Sequence, residues 1–158
     1  MENILAFFSN FMLMCGVVAW FAAQILKIPS ELYRHRGLSL RRIFFGNGGM
    51  PSSHSATVCA VSCAAALKYG LDSAVFAICC VLAMIVMNDA MGVRRETGDQ
   101  AKVLNKIVAD LPEEKADDIM PRALKEMVGH TPLQVVIGGL VGIAIPFLMQ
   151  FIPAFGLH

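Results

Sequence analysis

Two short motifs in the sequence combine a histidine with groups that could bind phosphate. The first is Gly48–Ser55, GGMPSSHS, in which a glycine-rich segment leads towards His54. A loop of this kind that opens a helix offers free backbone N–H groups, a favourable helix dipole and serine hydroxyls to an anion. The alternative interpretation is that Ser52 or Ser53 only caps the helix and that His54 is incidental.

The second motif opens the last apolar segment, at Gly129–Gln134, GHTPLQ. Thr131 as N-cap, Pro132 in the first turn and Gln134 as its capping partner match the pattern of a capping box. This cap leaves His130 outside the helix, close to the membrane surface.

Charged residues supply the remaining chemistry. Lys27 and Arg34 are separated by six residues, and Asp89 near the end of another apolar stretch is followed by Arg94 and Arg95. Basic residues just beyond a span usually anchor it and set its topology. A carboxylate at membrane depth is costly unless it is paired or hydrated, so Asp89 is a functional candidate. A structural ion pair with an arginine is the alternative.

The composition places these residues in a membrane protein. Hydrophobic residues make up 56% of the 158 residues, charged residues 16%, and the mean hydropathy is +0.62. The length predicts a single domain over residues 1–158, with an all-α integral membrane helical bundle as its fold. The net charge of +1 gives no sign of a nucleic-acid partner. The five cysteines lie in apolar stretches without disulfide or metal-ligand spacing, which predicts packing roles.

About four transmembrane helices account for the hydropathy. Ile4–Leu26, Leu71–Val93 and Pro132–Ile152 are apolar and long enough to span the bilayer. Ser52–Tyr69 is less apolar and rich in small residues, and we interpret it as a fourth helix buried among the others. The charged, proline-containing stretch Ala109–Lys125 predicts a solvated loop with a short cytoplasmic helix.

Four spans put the two long connections, 27–51 and 94–131, on one side of the membrane. All of the 13 lysines and arginines except Lys68 lie in these connections. The positive-inside rule makes that side cytoplasmic and places both termini outside. The same topology brings Lys27, His54, Arg95 and His130 to one membrane face, where they would form a phosphoryl-transfer site that needs no metal and no cofactor.

On these motifs the chain resembles the type 2 phosphatidic acid phosphatase and vanadium haloperoxidase superfamily, most closely its small divergent bacterial membrane branch. The resemblance runs from about Ala23 to Gly142. Its specific parts are GGMPSSHSA at Gly48–Ala56, DAMGVRRETGDQAKVLN at Asp89–Asn105 and GHTPLQVVIGGLVG at Gly129–Gly142. It implies a location in the bacterial inner or plasma membrane.

The resemblance assigns phosphate contacts to the first two motifs of the superfamily. A lysine and an arginine with six residues between them match Lys27 and Arg34, although His35 stands where proline is usual. The motif Pro-Ser-Gly-His falls on four consecutive residues, with serine in place of glycine: Pro51, Ser52, Ser53 and His54. His54 would then protonate the leaving oxygen.

The third motif matches at the nucleophile, His130, but departs on both sides of it. Leu124 stands where the superfamily has an arginine, whose role would pass to Arg94, Arg95 or Arg122. Gln134 stands where the superfamily has the orienting acid, and its amide can accept a hydrogen bond but brings no charge. Such an acid-to-amide change costs roughly 10⁴ in turnover in a catalytic triad. Asp89 is a candidate substitute.

The sequence therefore predicts a metal-independent membrane phosphatase that hydrolyses a phosphorylated lipid or related phosphomonoester through a phosphohistidine intermediate. Two alternatives stay open. One is a non-catalytic phosphate-headgroup binder or a lipid-transport component, and the other is a structural protein whose motifs are only caps and anchors. Helix faces rich in small residues are compatible with a homodimer, but no motif specifies the oligomeric state.

Overall fold

The computed structural model describes residues 6–35, 50–112, 122–124, 126, 129–153 and 155. In these residues the chain forms helices and no strand, which confirms the predicted all-α fold. The helices are α1 Phe11–His35, α2 Ser53–Tyr69, α3 Ala74–Met91, α4 Val93–Ala109 and α5 Pro132–Met149.

Three stretches of the described helices are long and apolar enough to cross a membrane. They are Phe11–Ser30 in α1, Ala74–Ala109 across α3 and α4, and Pro132–Met149, which is α5. The integral membrane bundle predicted from the sequence is thus confirmed. The fourth predicted span is present as the shorter α2, which packs against α1, α3 and α5 at the centre of the bundle.

One face of α1 carries small and apolar residues into this bundle. Phe11, Cys15, Ala19 and Ala23 recur every four residues and are buried. A four-residue spacing keeps side chains on one side of a helix, so Lys27, the next position in the series, is carried into the interior as well. The helix also runs past the predicted end of the span, because hydropathy marks only the apolar part of a helix.

The contact between α2 and α5 depends on the absence of side chains. Ala56 and Ala60 on α2 are fully buried. A side chain at Gly138 of α5 would collide with the backbone of Ser52, and one at Gly142 would collide with the backbone of Ala56. Glycines four residues apart allow this close approach of two helices in a membrane.

The helix α4 was not predicted. The sequence indicated a solvated connection after Arg94 and a short cytoplasmic helix in 109–125, most of which lies outside the described residues. Because charged residues dominate its first turns, hydropathy alone does not find α4. The spacing of its apolar residues Val103, Leu104, Ile107 and Val108 is the signal that could have found it.

The α2–α5 contact predicts the effect of added bulk at Gly142. A Gly142→Leu substitution should lower the stability of the bundle by about 1–3 kcal/mol, because the backbone of α2 leaves no room for a side chain. Ala144→Leu is the matched control, since it adds a branched side chain to an exposed position of the same helix. Thermal unfolding in detergent measures both, and equal melting temperatures for the two variants would contradict the close approach.

Candidate functional site

Lys27 brings a buried cation to the start of α2. Its side chain is only 3% exposed, and its Nζ donates a hydrogen bond to the Oγ of Ser53 at 3.3 Å. Ser53 is also buried. An ammonium group withdrawn from water requires polar partners or an opposite charge. The first turn of α2 therefore lies beside a positive charge as well as carrying its own free backbone N–H groups.

Ser52 forms the cap of α2. Its Oγ accepts the Ser55 backbone N–H at 3.4 Å and the Ser55 hydroxyl at 3.0 Å. Its backbone N–H donates to the carbonyl oxygen of Gln134 at 3.0 Å. The hydroxyl of Ser52 is thus engaged in the helix cap, whereas that of Ser53 contacts the lysine.

The two histidines meet at the same end of the bundle. The ring centroids of His54 and His130 are 6.5 Å apart, and the rings are inclined at 50°. His54 is exposed, whereas His130 is only 8% exposed. Because the two rings are neighbours, one phosphoryl group could contact both of them. The rings differ in their access to water.

The backbone of His130 is held by the junction between α3 and α4. Its N–H donates to the carbonyl oxygen of Ala90 at 3.0 Å. Gly129 adopts a φ of +95°, and a side chain there would meet the backbone of Arg94 and Arg95. Only glycine combines this left-handed conformation with so close an approach. The start of α5 is thereby tied to the end of α3.

Asp89 is paired with an arginine. The Nε of Arg94 lies 3.0 Å from the Oδ2 of Asp89, and both side chains are partly exposed. This is the ion pair that the sequence allowed as an alternative. The carboxylate thus accepts a hydrogen bond from Arg94, and in the described residues it accepts none from the Nδ1 of His130.

The imidazole of His130 lacks the support that an orienting acid would give. Its Nδ1 is buried and has no hydrogen-bond partner within the described residues. Gln134 lies near enough to raise the pKa of the ring, but its Oε1 already accepts the Thr131 N–H at 3.0 Å. Thr131 Oγ1 in turn accepts the Gln134 N–H at 3.4 Å, which completes the predicted capping box.

Burial and positive neighbours keep His130 neutral. Burial lowers the pKa of His130 to about 4, and the charges of Lys27, His54 and Arg94 act in the same direction. A neutral imidazole has a free lone pair, which a nucleophile requires. The same charges would favour an anion next to the ring.

The remaining predicted contacts lie around this centre. Arg34 is in α1, two turns after Lys27 and about 10 Å further along the helix axis. Arg95 is exposed at the start of α4, and Arg122 is exposed in the segment before α5. Leu124, at the missing arginine position, donates its N–H to Asn105 Oδ1 at 2.8 Å.

Asn105 is a structural residue that sequence reasoning did not select. Its Nδ2 donates to the Leu124 carbonyl oxygen at 2.9 Å and to Glu126 Oε1 at 2.8 Å. It therefore fastens the segment before His130 to α4. In the described part of the chain, no group of three or more His, Cys, Asp and Glu residues is arranged to hold a metal.

These features define a class: a helical membrane protein with two imidazoles and a buried lysine gathered at a helix start. The family described as the Divergent PAP2 family matches residues 8–145, and the chain belongs to this family. It is also 40% identical over 152 residues to a Bacillus subtilis (strain 168) protein named "Uncharacterized membrane protein YuiD", covering 90% of this chain and 96% of that protein. No solved structure matches the chain. The resemblance drawn from the motifs is thus confirmed.

The environment of His130 predicts its titration. Because its pKa is lowered from 6.5 to about 4, the ring should stay neutral at pH 7 and gain a proton only as the pH falls towards 4. Nitrogen-detected NMR of histidine-labelled protein in detergent measures this, with His130→Ala assigning the signal. Added vanadate should raise the midpoint, because a bound anion stabilises the imidazolium. A midpoint near 6.5 without ligand would contradict the described burial.

Proposed function

We propose that the protein is a membrane phosphatase that hydrolyses a phosphorylated lipid or a related phosphomonoester. The observation that carries the proposal is the meeting of His54 and His130, 6.5 Å apart between ring centroids, beside the buried Lys27. Membership of the Divergent PAP2 family supports it. The proposed reaction uses side chains of the protein and water.

The proposed reaction has two steps. A ring nitrogen of neutral His130 attacks phosphorus, and the bond from phosphorus to the alcohol oxygen breaks. Burial and the charges of Arg94 and Lys27 lower the pKa of His54, and the negative charge of the bound substrate acts in the opposite direction. His54, protonated in the bound state, gives its proton to the departing oxygen. The intermediate is a phosphohistidine. Neutral His54 then takes a proton from water, whose oxygen attacks phosphorus and breaks the P–N bond, so that phosphate leaves and both rings return to their starting states.

Cations and a helix start stabilise the phosphoryl charge in this proposal. Lys27 is fixed in place by burial and by its contact with Ser53, so little reorganisation is needed when charge develops. Arg94 stands close enough to affect the pKa of His130, and Arg34 and Arg95 are assigned supporting contacts. The serine that replaces the glycine of the superfamily motif thus has a definite partner in the lysine.

A second candidate is a phosphate-headgroup binder without turnover, or a component of lipid transport. It is favoured by the unpartnered Nδ1 of His130 and by the use of Gln134 in the helix cap. An imidazole that lacks its orienting acid loses roughly 10⁴ in turnover in a triad, while the cations would still hold an anion. The two candidates use the same group of side chains and differ in whether the P–O bond breaks.

Phosphate release from protein purified with EDTA tests the enzyme. Wild type should release phosphate from at least one lipid phosphate, His130→Ala should fall to background, and Arg94→Ala should lose about 10²–10³-fold because it removes a charge that stabilises the transition state. Lys102→Ala is the matched control, since it removes a cation that pairs with Asp99 on the exposed side of α4.

Equal rates for wild type and His130→Ala would end the enzyme proposal. The binder would then be supported if vanadate still binds to wild type and binding is lost in Arg94→Ala. Loss of binding in the Lys102→Ala control as well would show that a general loss of positive charge, and not the pocket, caused the effect.

The proposed site faces the cytoplasm, with both termini outside, because almost all basic residues lie in the connections on that side. A cysteine placed at Glu113 should react with a membrane-impermeant maleimide only in opened cells. The control is Asp72→Cys, in the exposed turn between α2 and α3, which should react in intact cells. The reverse pattern would put the site on the outer face.

A further inference from the structure

The helix α4 presents an apolar surface that the described protein does not cover. Three large apolar side chains in the second half of α4, each between 47% and 59% exposed, form this surface, which we call the apolar flank: Val103, Leu104 and Ile107. On the same side, the first half of the helix carries the exposed polar residues Glu96 and Gln100. Among the described helices, α4 packs only against α3. Exposure of this much apolar surface to water is unfavourable by about 25 cal/mol per Å².

The opposite side of α4 is basic. With about 3.6 residues per turn, Lys102 and Lys106 lie on the side of the helix away from Leu104. Both lysines are exposed, and Lys102 also contacts Asp99 at 2.7 Å. A helix with an apolar side and a lysine-rich side is the type that lies in the plane of a membrane surface.

A third side of α4 faces the protein. Gly98 and Ala101 are buried there, and Asn105 on the same side holds the segment that precedes His130. Arg94 on this side pairs with Asp89 of α3. The side of α4 that contacts the protein differs from the apolar flank. The helix can therefore pack against the protein while the apolar flank contacts a second surrounding, either water or lipid.

The position of α4 in the chain indicates that this second surrounding is the membrane surface. It begins one residue after α3 ends, and the 18 residues of α3 make a helix of about 27 Å, close to the thickness of the hydrocarbon core. The first turn of α4 must therefore lie near a membrane surface. Apart from Arg94, which pairs with Asp89, α4 carries three basic residues against two acidic ones, and this positive excess matches the negative charge of anionic lipid headgroups.

We propose that α4 lies in the plane of the membrane, with the apolar flank inserted at the boundary between lipid headgroups and acyl chains. Lys102 and Lys106 then point towards the headgroup phosphates and water. Because Arg94 belongs to α4 and stands beside His130, this seating puts the candidate site at headgroup depth. A phosphate on a lipid would reach the site without the lipid leaving the bilayer.

Tryptophan quenching in proteoliposomes tests the seating independently of any activity. In a Trp20→Phe background, Ile107→Trp reports on the apolar flank, and Lys102→Trp is the matched control on the basic side of the same helix. Vesicles of phosphatidylcholine and phosphatidylglycerol carry either a lipid spin-labelled near the headgroup or aqueous acrylamide. The spin-labelled lipid should quench Ile107→Trp several-fold more than Lys102→Trp, and acrylamide should show the opposite order.

Two results would overturn the proposal. Strong acrylamide quenching of both variants would place α4 in water, away from the bilayer. Protection of Ile107→Trp from both quenchers would mean that protein covers the apolar flank, either another part of the chain or a second copy. Leu104→Trp replaces Ile107→Trp if the latter unfolds, and Ile78→Trp, on the exposed surface of α3, provides the reference for a membrane-embedded position.

Discussion

The arrangement of the site depends on one constraint, the near-contact of α5 with the backbone at the start of α2. Gly138 and Gly142 leave no side chain between the helices, and the Ser52 N–H donates directly to the Gln134 carbonyl oxygen at 3.0 Å. A larger residue would separate the two helix starts. Because His54 follows one start and His130 precedes the other, the distance between the imidazoles is set by this contact.

The electrostatics of the site follow from that geometry. Packing of α1 against α2 buries Lys27, and burial together with this charge favours the neutral form of His130. Positive charge that has been removed from water at a helix start is a favourable environment for an anion. In the proposed reaction, a neutral His130 would attack phosphorus within this cationic surrounding.

Three of the residues that depart from the superfamily motifs make hydrogen bonds in the structure. The serine at position 53 accepts the lysine's hydrogen bond, and the glutamine at position 134 stabilises the start of α5 through a capping box. The backbone N–H and carbonyl oxygen of Leu124 form hydrogen bonds with the side chain of Asn105, which holds this segment against α4. These three changed residues therefore have structural partners, while the buried Nδ1 of His130 is left without one in the described residues.

Local rules were sufficient for much of the fold. Runs of apolar residues predicted the bundle, and the spacing of Thr131, Pro132 and Gln134 predicted the cap that the structure contains. These features depend on neighbours in the chain, so sequence patterns report them. The helix α4 was missed because its apolar residues are spread among charged ones, so that no long window in this segment has a high mean hydropathy.

Sequence patterns were enough to predict the membrane class and the family, and they supplied the residues that are proposed to contact phosphate. How those residues pair depends on helix packing: Lys27 contacts Ser53, Asp89 pairs with Arg94, and the His130 N–H bonds to the backbone of Ala90. The reason is that each pair joins groups whose distance depends on helix packing and on the break between α3 and α4. The spacing of residues along the chain gives neither the helix packing nor the geometry of this break.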